Sequence, residues 1–186
     1  ALQMAVNAGG ILWVPPGDYR LDATVVLTKP IRLMGSGAGF WGTGHWSAFF
    51  SATLALDLFH VNTDGASFED LFFNRAGASN LPSEGNAMLL GNTQKAPGQA
   101  WSGATIRSCR FLGHCRAVWV VHMQGWRLLD SDLYTCYGIQ IENRSNADAG
   151  DANISDCTIM ANGAAGATAA IYYISGGGLK VTNTKL

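Results

Sequence analysis

One nine-residue frame recurs five times along this chain, and it restricts the fold more than any other feature. The segments "GASFEDLFF", "GATIRSCRF", "GWRLLDSDL", "DANISDCTI" and "GLKVTNTKL" share the pattern G-x-x-Φ-x-(D/S/N)-x-x-Φ, where Φ is apolar. They begin at Gly65, Gly103, Gly125, Asp151 and Gly178, so Asp151 stands where the others have glycine. The first Φ is Phe68, Ile106, Leu128, Ile154 and Val181; the second is Phe73, Phe111, Leu133, Ile159 and Leu186. Intervals between first Φ positions are 38, 22, 26 and 27 residues. The shortest sets the unit, and the longer ones are that unit with loops inserted. Val61, Val121 and Ile174 each lie seven residues before a first Φ, which suggests a third strand in the same register.

Alternation of period two within each frame marks strands with one buried face. A unit near 22 residues is too short for a pair of helices, and the Leu/Asn pattern of leucine-rich repeats is absent. It suits three short strands separated by turns, each coil burying its apolar face against its own other strands and its neighbours. The fold expected is therefore all-β: a right-handed, single-stranded parallel β-helix with a short N-terminal capping helix. The polar residue in each frame (Asp70, Ser108, Asp130, Asp156, Asn183) is expected at a tight bend, where short polar side chains tolerate left-handed backbone. The next position (Leu71, Cys109, Ser131, Cys157, Thr184) is expected to point inward.

The N-terminal segment "ALQMAVNAGGILWVPPGDYRL", followed by "TKPIRLMGSGAG", resembles the start of the pectate-lyase-like superfamily of parallel β-helices, which includes polysaccharide-degrading enzymes and phage tailspike depolymerases. The matching parts are the helix 1–10 with its paired glycines, the corner Val14 to Tyr19 and the glycine turn Leu33 to Gly37. With the repeats, the resemblance covers residues 1–186 as one domain, the capping helix over 1–10 and about six coils over 11–186. It implies a carbohydrate-active protein that binds and cleaves an acidic or capsular polysaccharide as a lyase or glycoside hydrolase, located outside the cell or on a virion. The alternative is a non-catalytic carbohydrate-binding or structural β-helix, such as an adhesin or virion module. The chain opens inside its helix and its last frame ends in mid-coil, so it is expected to be part of a longer protein.

Charged residues make up only 13% of the chain and the net charge is −1. Such poverty of charge implies a large core or surface hidden in an assembly, and the tailspike resemblance suggests a homotrimer. No basic footprint points to nucleic acid, and no apolar run approaches the roughly 18 residues of a membrane helix.

Function in such a scaffold falls to outward side chains and inserted loops. The positions before each second Φ (Phe72, Arg110, Asp132, Thr158, Lys185) and after each first Φ (Glu69, Arg107, Leu129, Ser155, Thr182) should face outward. Glycoside hydrolysis needs two carboxylates, roughly 5 Å or 6.5–9.5 Å apart; Asp132 with Glu142, or with Asp130, is a candidate pair. A lyase needs a base and a group that neutralises the uronate, and Arg107, Arg110 and His122 are candidates. A plain ion pair between Arg110 and Asp132 is the other account of those two. Trp41, Trp46 and Trp101, in the long inserts 35–58 and 74–104, are candidate sugar-stacking residues, or loop residues packed over the coils. No metal ligand set and no cofactor is expected; the polar loop "ENRSNADAGD" (142–151) is dense enough in oxygen to hold Ca²⁺ but lacks the alternating spacing of a calcium loop. Cys109 and Cys157 share the inward position and are expected as buried thiols; Cys115 and Cys136 follow consecutive second Φ positions closely enough to pair, but a disulfide between them is not expected.

Overall fold

The computed structural model describes residues 2–37, 46–53, 55–75, 84–135, 137–142, 151–161, 169–175 and 177–186. Among these residues it is all-β, with one helix at the N-terminus and every strand pairing parallel. A first sheet of seven strands contains Gly10–Trp13, Ile31–Met34, Ser67–Glu69, Thr105–Arg107, Arg127–Leu129, Ala152–Ser155 and Leu179–Thr182. The second holds Gly17–Arg20, Ser47–Ser51, Leu71–Arg75, Arg110–Leu112, Asp132–Thr135 and Thr158–Ala161. The third holds Val25–Leu27, Phe59–Val61, Met88–Leu90, Val118–Val120, Ile139–Glu142 and Ile171–Ser175. The chain visits the three sheets in rotation, six times in full, before its last strand rejoins the first sheet. A short extra pair, Trp101–Ser102 with Met123–Gln124, lies beside this pattern.

Helix Leu2–Ala8 stops short of the 1–10 expected from sequence. Gly9 and Gly10 have φ of 76° and 87°, left-handed values that end a helix, and Gly10 already pairs with Ile31.

The repeat frame reads out as register. The first Φ residues lie opposite one another in the first sheet, Phe68–Ile106–Leu128–Ile154–Val181, and Leu33 continues the row. The second Φ residues do the same in the second sheet, from Tyr19 through Phe49, Phe73 and Phe111 to Ile159. The two rows meet the third sheet in one core, where Phe59 stands 5.2 Å from Phe49, 5.5 Å from Phe68 and 5.8 Å from Phe73, ring centre to ring centre. Phe49, Phe73 and Phe111 stack in file, with Phe73 4.9 Å from Phe111 and 6.1 Å from Phe49. The third-strand register differs from expectation. Val61 pairs through Leu90 and Val120 to Ile141 and Tyr173, so Val121 and Ile174 are each one residue too far along. The turns leaving the third sheet differ in length, which breaks a fixed offset back from the next frame.

Two left-handed columns mark the corners. Asp70, Ser108, Asp130, Asp156 and Asn183 all have φ between 47° and 57° where the chain passes from first to second sheet. Gly65, Gly103 and Gly125 have φ of 59° to 77° ahead of the first sheet, and Asp151, in the glycine position, has 67°. Along the polar column Ser108 Oγ donates to Asp130 (3.2 Å) and the Asn183 amide donates to Asp156 (2.6 Å). The inward neighbours follow suit. Leu71, Cys109, Ser131 and Cys157 are buried, and the Cys109 and Cys157 thiols donate to backbone carbonyls. Burial pushes those thiols up to about 12 and about 11.

Burial also holds the Asp70 carboxyl above its ordinary range, and the nearby charges of Glu69 and Asp130 add to the push. The folded state therefore disfavours the ionised form, and the penalty is present at neutral pH and fades as acid protonates the group in both states. Asn tolerates the same left-handed backbone. Asp70→Asn is expected to raise the melting temperature by about 1–3 °C at neutral pH, with the gain gone at about pH 3. Thermal scans at the two pH values check both halves.

Candidate functional site

The third sheet turns Val26, His60, Leu89, Trp119, Gln140 and Tyr172 outward in one row. A second column runs beside it, because each strand is entered through the same corner. Asp57, Asn86, Arg116 and Tyr137 each lie two residues before the strand that begins at Phe59, Met88, Val118 and Ile139. Parallel stacking sets such residues about 4.8 Å apart, so their side chains join into a chain.

At one end of it, Asp57 Oδ1 accepts from the backbone N–H of Asn86 (2.7 Å) and from its side-chain amide (2.8 Å). Its other oxygen lies 2.9 Å from His60 Nε2. Burial pushes the Asp57 carboxyl up, but the hydrogen bonds from His60 and Asn86 outweigh it and hold the group below the ordinary carboxylate range. The amide nitrogen of the exposed Asn92 donates to His60 Nδ1 (3.1 Å). That fixes the tautomer: Nδ1 is the acceptor and Nε2 carries the proton shared with Asp57. At the other end Arg116 donates from Nη1 to Asn86 (3.4 Å) and from Nε to Gln140 (2.5 Å), and Gln140 donates to Glu142 (3.2 Å). The Arg116 guanidinium lies 4.9 Å over Trp119 and 5.5 Å from the Tyr137 ring centre.

The segment that follows Asn92 is fastened to the same face. Thr93 N–H donates to Asn62 (3.1 Å), and Trp101 Nε1 donates back to the Thr93 carbonyl (2.6 Å). Lys95 pairs with Asp64 and stands 4.8 Å over the Trp101 ring. Ser102 donates to Asp64 from backbone (2.8 Å) and hydroxyl (3.0 Å). Burial pushes the Asp64 carboxyl up, and the bonds from Lys95 and Ser102 more than reverse it. The result is a strip in which two cations over tryptophans and a His–Asp pair are joined by hydrogen bonds and by the segment from Asn92 to Lys95.

The residues singled out from sequence fall on different sheets. Arg110 and Asp132 are register partners in the second sheet and form an ion pair of 2.9 Å, the Arg110 side chain being 10% exposed. Arg107 is exposed on the first sheet, between Glu69 and Leu129; Glu69 pairs with Arg32 (2.7 Å). Glu142 ends a third-sheet strand and belongs to the strip through Gln140. His122 lies beyond Val118–Val120, and its carbonyl accepts from Trp101 N–H (2.8 Å). Thus Arg110 joins Asp132, and Glu142, Trp101 and the His122 backbone lie on or beside the strip, whereas Asp132 and Glu142 are on separate sheets. Trp46 donates to Asp18 (3.3 Å) and meets Phe72 edge-on at 6.0 Å, on the second sheet. Phe72, though in an outward row, is buried beneath it. Trp41, Cys136 and 143–150, which make up most of the acidic loop, lie outside the described residues. Among the described residues no group of three or more His, Cys, Asp and Glu side chains is placed to hold a metal ion, and no helix is long and apolar enough to cross a membrane.

Asp57, His60, Asn86, Asn92 and Arg116 were not singled out from sequence. The three-residue spacing of Asp57 and His60 is a local signal that could have found those two; Asn86, Asn92 and Arg116 carry none. No protein-family model matches this chain, and no curated protein matches it.

Proposed function

We propose that the three sheets wind as a right-handed parallel β-helix of the pectate-lyase-like kind, and that the chain binds and cleaves an acidic polysaccharide along its third sheet. The rotation of strands through three parallel sheets, the short helix ahead of the first strand and the corner at Pro15–Gly17 support the fold. The observation that carries the function is the strip itself. Aromatic faces at Trp101, Trp119 and Tyr137 suit sugar rings, and Arg116, beside the last two, suits a carboxylate. Side chains one strand apart repeat at about 4.8 Å, close to the length of a sugar residue, so a polymer lying across the strands meets equivalent positions in turn. Such a protein acts outside the cell or on a virion, and the low charge of the chain suits side-by-side packing of three copies.

A non-catalytic binding module is the second reading. It is favoured by the Arg110–Asp132 pair, in which each partner neutralises the other and neither stands ready as a base or acid on the second sheet. Incubation with a panel of uronate and capsular polysaccharides separates the two. Cleavage, seen as conjugated double bonds in the ultraviolet or as new reducing ends, is the expected result. Retardation in polysaccharide-containing gels without cleavage supports the binding module, and neither effect overturns both readings.

A further inference from the structure

We propose that His60 is the general base of a β-elimination on a uronate-containing polymer, with Asp57 and Asn86 as its positioning residues and Asn92 as the group that the substrate displaces. This rests on the third-sheet strip being the working face and on a lyase reading of the proposed cleavage, and goes beyond both in naming the base and the residues that position it.

Three features of the site carry the inference. First, the imidazole is held as a base must be. Its Nε2–H is engaged by Asp57 (2.9 Å), which is itself fixed by two bonds from Asn86 (2.7 and 2.8 Å), so the lone pair stands on Nδ1. Second, among the described residues the partner of that lone pair is a neutral donor. Asn92 is exposed, its bond to Nδ1 is 3.1 Å, and a substrate can replace it at the cost of one solvent-accessible hydrogen bond. Third, a cation belongs to the same network: Arg116 is joined to His60 through Asn86 and Asp57. A carboxylate drawn to that charge has the acidity of its neighbouring C–H raised, which a base of ordinary strength requires.

The step balances without a co-reactant. His60 Nδ1 takes the proton from C5 of the uronate. The C5–H electron pair becomes the C4=C5 double bond, and the C4–O bond breaks. The glycosidic oxygen leaves with the neighbouring sugar and is protonated by the imidazolium or by water. The products are an unsaturated uronate end and a shortened chain. No oxidation occurs.

The test uses the whole chain with polygalacturonate, alginate, chondroitin and hyaluronan, reading both the ultraviolet absorbance of the new double bond and affinity electrophoresis. The wild type is expected to form the unsaturated product on at least one polymer. On that polymer His60→Ala is expected to lose roughly 100-fold or more in kcat with KM nearly unchanged, and added imidazole to restore part of the rate. Asp57→Asn is expected to lose about tenfold in kcat with KM again held. Asn92→Ala is expected to keep kcat and lower KM. His60→Gln, which fills the same space, separates lost chemistry from lost folding. Wild-type product with an undiminished His60→Ala variant overturns the inference and leaves the proposed function standing. New reducing ends without double bonds do the same. Binding without any product overturns both the base and the cleavage reading, and absence of binding overturns the strip itself.

Discussion

Replacing Phe73 with alanine is expected to remove about 3–5 kcal/mol of folding stability. Phe73 is fully buried and lies in contact range of Phe49, Phe59, Phe68 and Phe111, so its ring touches inward rows of all three sheets. The file Phe49–Phe73–Phe111 cannot close over the gap, because register holds each ring to its own strand. The cost is therefore that of transfer plus an unrelaxed cavity. Aromatic stacking adds about 0.5–1.5 kcal/mol for each partner lost, which places the value toward the upper end. Urea unfolding checks it against Tyr172→Ala, a 49% exposed ring on the third sheet that is expected to change stability by no more than about 0.5 kcal/mol. A loss at Phe73 below about 1.5 kcal/mol contradicts a single core shared by the three sheets.

Gly35→Ala is expected to be nearly as damaging, at about 3 kcal/mol. Gly35 occupies the corner held later by Asp70, Ser108, Asp130, Asp156 and Asn183, since its N–H donates to Glu69 just as Asp70 N–H donates to Arg107. Those later residues need left-handed backbone; Gly35 does not, and its constraint is proximity instead. A Cβ there would lie 2.2 Å from the Asp70 carbonyl oxygen and 2.8 Å from a Leu71 methyl. The Asp70 carbonyl cannot swing away, because it accepts from Gly37 N–H at 3.2 Å. Asp156→Gly, at the equivalent corner with φ of 57°, is expected to cost no more than about 1 kcal/mol. It removes a strained backbone along with the hydrogen bond from Asn183. Denaturation curves for the two variants should therefore separate widely, although both substitutions fall at one structural position. Similarly small losses in the two would show that the backbone at Gly35 relaxes to admit the methyl group and that crowding does not constrain it.

The contrast explains what could be read in the sequence. The frame placed every first Φ, and every second Φ except the exposed Leu186, in its sheet and register, and it placed the bends at Asp70, Ser108, Asp130, Asp156 and Asn183, because there fold and sequence share one spacing. Even the exchange of glycine for Asp151 falls on a residue with φ of 67°. The third-sheet strip carries no such spacing. Asp57, Asn86, Arg116 and Tyr137 occupy one column, yet they are 29, 30 and 21 residues apart and differ in chemical type. Their alignment depends on how loops of unequal length close, which a frame of fixed period does not encode. Exposure was harder still to read: Phe72 and Arg110 stand in an outward row and are buried all the same, Phe72 against Trp46.

The left-handed corner between first and second sheets bears also on how such a chain can change in length. From Glu69 onward, two residues always separate the last paired position of the first sheet from the outward row of the second: Asp70–Leu71, Ser108–Cys109, Asp130–Ser131, Asp156–Cys157 and Asn183–Thr184. A single inserted residue there would swap buried and exposed faces for the strand beyond. The corners on either side of the third sheet bear no such rule, and they carry the long segments 76–87 and 91–104. In the coils from Glu69 onward, insertions and deletions can therefore accumulate only around the third sheet, whereas the preceding coil carries 35–46 at the first corner, between Met34 and Ser47. In those later coils the side of the molecule that bears the third sheet is the side on which descendants of this chain are free to diverge.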